Sequence, residues 1–167
     1  LLTKGAIASG ADAVKFQLVY ADELATPDYE YYQLFKDLEM GQSIWTSICQ
    51  QIHDAGRKVY FDVFGLSSLD MAKKIDADGI KLSTTEFYNN ALFDRAIDLF
   101  DKIYLSIGGI PAEDIDKKLS GLSKRQVNKI CLMYGFQSEP TPLDQNNLDK
   151  LRMFKNRYPE FEIGFMD

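Results

Sequence analysis

Six short apolar or alternating runs constrain this fold more than any other feature: Ala13–Val19, Val59–Phe64, Gly79–Ser83, Ile103–Ile107, Lys129–Tyr134 and Glu162–Met166. Stretches with helical spacing separate them. Ser43–Ala55 carries Ile44, Ile48 and Ile52, with Gly56 as its stop, and Ser68–Ile75 opens on Ser68 as an N-cap. Asn90–Phe100, the shorter Glu113–Leu119 and Asn147–Tyr158 continue the series, and a helix over Leu1–Ser9 leads through Gly10-Ala11-Asp12 into the first strand. Strands that are apolar on both faces and alternate with helices belong in a parallel sheet covered by those helices. Six such strands in 167 residues suit either an open doubly wound sheet or an incomplete TIM (β/α)8-type barrel, a fold whose full form takes about 250 residues. No Gly-x-Gly-x-x-Gly follows the first strand, so a dinucleotide site is not predicted. The longest irregular connection runs from Tyr20 to Met40, with Pro27 and four tyrosines; it reads as a lid or extra helices, or equally as a packed aromatic excursion.

Charge and composition narrow the partners. With a formal charge of -6 and no Lys/Arg run, the chain carries no nucleic-acid footprint. An anionic substrate must then be held by a few placed lysines and backbone N–H groups, not by the global field. No apolar run approaches the roughly 18 residues of a membrane helix, and no signal peptide opens the sequence. Cys49 lies in a helical pattern and Cys131 in a strand, so both are expected as reduced core residues, which points to a cytoplasmic protein. His53, the single histidine, sits mid-helix and is assigned a surface or packing role.

The residues able to do chemistry cluster at strand ends. Lys15 and Gln17 lie two apart, hence on one face of a strand, and Lys81 lies within another. Lysines inside strands are costly to bury. Two facing one interior would make an anion site for phosphate or carboxylate; alternatively each pairs with a core carboxylate or snorkels to a rim. Thr84-Thr85-Glu86 follows Lys81, so a hydroxyl and a carboxylate stand at a strand end. Glu86 suits proton transfer or a sugar hydroxyl, and equally a cap on a helix beginning near Asn89. In Ser106-Ile107-Gly108-Gly109-Ile110-Pro111, the glycines and the following helix start allow backbone N–H groups to approach an anion. Leu132–Pro142 reads as a buried strand running into a polar, proline-rich loop, where α/β enzymes display chemistry.

Taken together these motifs resemble those of the sialic acid synthase family. Gly10-Ala11-Asp12-Ala13-Val14-Lys15-Phe16-Gln17 is similar to that family's second-strand motif, and Lys81-Leu82-Ser83-Thr84-Thr85-Glu86 to its Lys-Ile-x-Ser-Gly-Glu. Leu105-Ser106-Ile107-Gly108-Gly109-Ile110 resembles Leu-Ser-Thr-Gly-Met; Pro140-Thr141-Pro142, Asn147-Leu148 and Ile163–Asp167 follow in the family's order. The resemblance implies a TIM barrel that condenses phosphoenolpyruvate with an N-acylated hexosamine, assisted by a divalent metal such as manganese or magnesium. It places the six strands as barrel strands two to seven of one partial domain spanning residues 1–167. A first strand would lie before Leu1, and an eighth strand and a small antifreeze-like domain after Asp167. On that footing the 167 residues alone are expected to be inactive, and the whole protein is expected to form a homodimer.

Carried over by position, Lys15, Lys81, Thr84 and Ser106 would contact phosphoenolpyruvate, while Gln17 and Glu86 would face the sugar acceptor as catalytic groups. Tyr134 falls where the family has its first metal-binding histidine. A second such histidine would follow Asp167. Phe61-Asp62-Val63-Phe64 stands in place of Ser-Thr-Pro-Phe, and Glu139 in place of a tyrosine. Phenol titrates near 10, so tyrosine is a poor substitute for imidazole toward a divalent ion; Asp62 or Glu139 is then the oxygen ligand to consider. Two other readings use the same residues: a Schiff-base aldolase with Lys81 or Lys15 as the amine, and a degenerate sugar-binding member without catalysis.

Overall fold

The apolar runs form six strands in a computed structural model that describes residues 2–136, 138 and 140–166. In chain order, α1 (Leu2–Ala8) precedes β1 (Ala13–Gln17), and α2 (Ala21–Leu24), α3 (Tyr32–Leu38) and α4 (Gln42–Asp54) lead to β2 (Lys58–Val63). Next come α5 (Leu66–Lys74) and β3 (Gly79–Leu82), then α6 (Asn90–Leu99) and β4 (Ile103–Ser106). Finally α7 (Ala112–Leu119) and α8 (Lys124–Val127) lead to β5 (Ile130–Tyr134), and α9 (Asp149–Arg157) to β6 (Glu162–Phe165). Neighbouring strands are all parallel and lie in the order β1-β2-β3-β4-β5-β6. A doubly wound sheet reverses its strand order at a switch point. The sequential order here is instead that of a (β/α)-barrel wall, which resolves the alternative left open by the hydrophobic pattern.

Alternation along each strand sorts the wall into two faces. Val59, Phe61, Val63, Ile80, Leu82, Ile103, Leu105, Ile130 and Leu132 point to the helices and are essentially fully buried. On α4 the spacing of Trp45, Cys49 and Ile52 turns one stripe inward, where Trp45 meets Phe61 edge-on at 5.2 Å. An aromatic burial of this kind contributes about 2–3 kcal/mol. Helix α6 packs the same way through Leu92, Phe93, Ala96 and Ile97. The opposite strand face, which would look into a barrel, carries Lys15, Asp62, Lys81, Tyr60, Tyr104 and Ser106.

Local details correct several expectations. Ser68 is not the N-cap of α5: Gly65 occupies that place, and the Ser68 hydroxyl accepts hydrogen bonds from Phe64 N at 3.0 Å and Gly65 N at 3.2 Å. The free N–H groups of Ser67 and Ser68 donate instead to the Glu23 carboxylate of α2, at 2.6 Å and 3.2 Å, a charge suited to a helix N-terminus. A side chain at Gly65 would start 2.4 Å from the Glu23 carboxyl carbon, so glycine permits this cap. The Tyr20–Met40 stretch folds into the extra helices α2 and α3, with Phe35 stacked on Tyr29 at 6.0 Å. Cys49 and Cys131 are buried free thiols, both pushed up to about 11 by desolvation. His53 Nε2 lies 2.9 Å from Asp78 Oδ2, which also accepts from Val59 N at the amino end of β2, away from the strand carboxyl ends. Among the described residues no helix is long and apolar enough to cross a membrane.

Candidate anion-binding site at the strand carboxyl ends

Cross-strand register assembles the site. Gln17 pairs with Asp62, and Asp62 with Lys81, so three side chains of β1, β2 and β3 stand abreast on the inner face. Lys15, one pleat below Gln17, reaches the same carboxylate and forms an ion pair with Asp62 Oδ2. On the other side Lys81 Nζ lies 3.2 Å from Asp62 Oδ1 and donates to Ser83 Oγ at 3.4 Å. Asp62 is therefore shared by two ammonium groups, and among the described lining residues the three together leave one net positive charge. Lys81 is anchored, with a side chain 9% exposed, whereas that of Lys15 is 43% exposed and opens to the mouth. Burial holds the Lys81 ammonium below the ordinary lysine pKa; attraction to Asp62 opposes this, and repulsion from Lys15 adds to it.

Above this row lies an open cavity of about 620 Å³, lined by Lys15, Gln17, Asp62, Lys81, Ser83, Thr84, Ser106, Phe136, Ser138 and Met166. Thr84 Oγ1 and Ser106 Oγ are buried on its wall, and neither has a hydrogen-bond partner among the described residues; Asp62 Oδ1, though in ion-pair contact, lacks an aligned donor among them. Leaving a buried polar atom unpaired costs about 1–3 kcal/mol. Two such hydroxyls on the wall of one cationic cavity are the mark of a place where a ligand's oxygens complete the bonding.

Of the residues singled out in the sequence, the structure brings Lys15, Gln17, Lys81, Thr84 and Ser106 into this one cavity. Glu86 closes the short turn Thr84–Glu86, half-buried and outside the lining. The capping role weighed for it belongs to Asn89, whose side chain accepts from Leu92 N. Gly108 and Gly109 also lie outside the lining. Asp62, considered as an oxygen ligand, is taken up by the two lysines. Both readings of the strand lysines thus hold together: they pair with a core carboxylate and they line the cavity. Glu139 and Asp167 lie outside the described residues. The loop after β5, marked in the sequence as a place for chemistry, contributes Phe136 and Ser138 to the lining, though nothing in a polar loop's sequence marks which of its residues fold over a strand end.

Tyr134 is not brought to the cavity. It points to the helix side of β5, where its ring meets Phe154 of α9 at 5.6 Å and its hydroxyl donates to Asn146 O at 2.9 Å. Burial pushes its phenol above the usual value, which makes a phenolate still less accessible. Among the described residues no three His, Cys, Asp or Glu side chains converge on a point. The described residues therefore do not by themselves fit a divalent ion. Replacing Tyr134 with Phe should cost about 1–2 kcal/mol, because Asn146 O loses its donor. Manganese affinity of the full-length protein, measured by calorimetry beside a urea melt, should not change; a drop in affinity would put Tyr134 back at the metal.

The fold and the cavity define a (β/α)-barrel protein with a small cationic pocket at its strand carboxyl ends. The sequence pattern of the NeuB family matches residues 2–167, and the chain belongs to that family. It is 23% identical, over 177 residues, to the spore coat polysaccharide biosynthesis protein SpsE of Bacillus subtilis, covering 99% of this chain and 48% of that protein. An uncharacterized protein of Methanocaldococcus jannaschii is 24% identical over 166 residues, again covering 99% of this chain and 49% of its relative. The chain thus spans about half the length of the curated relatives it matches. Among solved structures it is similar to the N-acetylneuraminic acid (sialic acid) synthetase of Leptospira borgpetersenii in complex with citrate, with a TM-score of 0.89, 25% identity, and coverage of 99% of this chain and 57% of that one. A DAHP synthase of Thermotoga maritima, at 12% identity, 98% coverage of this chain and 46% of that one, shares the fold alone, with a TM-score of 0.68.

Proposed function

We propose that the protein is a synthase of the sialic acid type, condensing phosphoenolpyruvate with the aldehyde of an N-acylated hexosamine to give a nonulosonic acid and inorganic phosphate. The observation that carries this reading is the convergence of Lys15, Lys81 and the unpaired hydroxyls of Thr84 and Ser106 on one cavity. Ammonium groups neutralise phosphate and carboxylate oxygens, and pre-placed hydroxyls donate to them without reorganisation. In this reading Lys15, Lys81, Thr84 and Ser106 fix the phosphoenolpyruvate. Gln17, at the exposed end of β1, meets the acceptor sugar, and Glu86, two residues beyond Thr84, serves proton transfer. The nucleophilic methylene carbon bonds to the aldehyde carbon, whose oxygen takes a proton. Water adds at the enol carbon, and phosphate leaves.

The full-length protein, given phosphoenolpyruvate, manganese or magnesium and a panel of N-acylated hexosamines, should release phosphate only when an acceptor is present. No release with any acceptor sinks the activity, and if phosphoenolpyruvate still binds, the degenerate binding member is what remains. A second reading is favoured by one observation: Lys81 is buried beside the Asp62 carboxylate, with its pKa lowered. As a Schiff-base amine it would condense with a carbonyl and expel water. Borohydride reduction with pyruvate, read by mass spectrometry, would then place an adduct on Lys81, and its absence removes this reading.

A further inference from the structure

We infer that Asp62 is a specificity-determining residue, lowering the positive charge of the pocket by one and so shifting its preference from phosphate dianions toward carboxylate monoanions. The inference rests on the reading of this cavity as an anion pocket. Two strand lysines at the mouth would present two positive charges, and the residue between them decides how many are left for a ligand. In this chain that residue is a carboxylate, 2% exposed, with Lys15 on one oxygen and Lys81 3.2 Å from the other. Asp62 acts as a resident anion: an incoming one must share Lys15 and Lys81 with it and is repelled by it across the same cavity.

Coulomb energy scales with ligand charge. Removing one negative charge from the wall therefore changes the logarithm of the affinity about twice as much for a dianion as for a monoanion at the same place. Phosphate at pH 7.5 is mostly a dianion, and pyruvate is a monoanion. Lys15 is the adjustable arm of the arrangement, since its stem is exposed, while Lys81 is fixed by burial. The inference thus assigns Asp62 to selectivity between ligands and not to a bond-making step.

The test is calorimetric titration of the full-length protein with inorganic phosphate and with pyruvate at pH 7.5 and constant ionic strength, for the wild type and Asp62→Asn. The substitution should tighten phosphate binding about tenfold and pyruvate binding about threefold, with a steeper loss of phosphate affinity as salt is raised. Asp62→Glu, which keeps the charge, should leave the phosphate-to-pyruvate ratio within about twofold of the wild type. Unchanged or weaker phosphate binding in a natively folded Asp62→Asn protein overturns the inference and makes Asp62 a strap that only positions the lysines. If neither anion binds either protein, the anion-pocket reading fails, and this inference with it. Should Asp62→Asn not fold, Lys15→Met carries the test, because its side chain is the more exposed of the two lysines, 43% against 9%. It should weaken phosphate by about the square of the factor by which it weakens pyruvate, and equal factors count against the inference.

Discussion

Lys81→Met in the full-length protein should lower kcat/KM for phosphoenolpyruvate by about 10²–10³-fold, an effect worth roughly 3–4 kcal/mol of transition-state stabilisation. Lys81 is the anchored cation of the pocket: its ammonium has two polar contacts, Asp62 Oδ1 at 3.2 Å and Ser83 Oγ at 3.4 Å, and its remaining donor capacity faces the cavity. Methionine keeps the length and apolar stem while removing the charge. Asp62 retains Lys15, so a buried carboxylate is not left alone, and stability should move by less than about 2 kcal/mol. The pH profile separates charge from shape. Only the ammonium form of Lys81 binds an anion, so wild-type anion binding is full at neutral pH and is lost as pH rises through the Lys81 pKa. Burial places that pKa below the 10.5 of an ordinary lysine, and the alkaline limb should begin correspondingly early. In Lys81→Met that early onset disappears. An unchanged kcat/KM, or an alkaline limb that keeps its early onset after the substitution, excludes Lys81 from the site.

What the sequence shows and what it hides follows from the range of the interactions involved. The strands are legible because their apolar residues are contiguous and local; all six occur within about two residues of where the pattern places them. Lys15, Gln17, Lys81 and Ser106 are legible because a polar residue in an apolar strand has few reasons to be there. The cap on α5 is illegible because its acceptor, Glu23, comes from an element 45 positions upstream of Ser68. Helices α2 and α3 are short, and the one fully buried side chain between them is Ala21, so they carry no apolar stripe to detect.

Tyr134 shows a deeper limit. In a strand buried on both faces, inward Cys131 and Met133 and outward Leu132 and Tyr134 are all apolar or aromatic, so the period of two is present in space and absent from the sequence. Matching Tyr134 to a histidine by position gives its place along the strand and nothing about its face. Asp62 is the converse. Its charge stands out in Val59-Tyr60-Phe61-Asp62-Val63, but only the register of three strands reveals that it answers two lysines at once.

The layer beneath the pocket supplies the largest stability effect. Gly79 opens β3 with no unusual backbone angle; its glycine is demanded by space. A Cβ there would lie 2.4 Å from Lys102 O and 3.0 Å from the Tyr60 ring. Lys102 O accepts the Ile80 N–H that starts the β3–β4 ladder, and Tyr60 packs edge-on against Tyr104 at 5.2 Å, so neither neighbour can give way freely. Gly79→Ala should therefore cost about 2–4 kcal/mol, from overpacking together with a strained ladder bond. That corresponds to a fall in Tm of about 5–15 °C. Gly5→Ala in α1 is the matched control: nothing lies within 4 Å of its Cβ, and helix propensity favours alanine by up to about 1 kcal/mol. Thermal melts of the two variants should move in opposite directions. If Gly79→Ala melts with the wild type, β3 and β4 do not approach as closely as this sheet requires, and the floor that sets Lys81 and Asp62 side by side is not the one described.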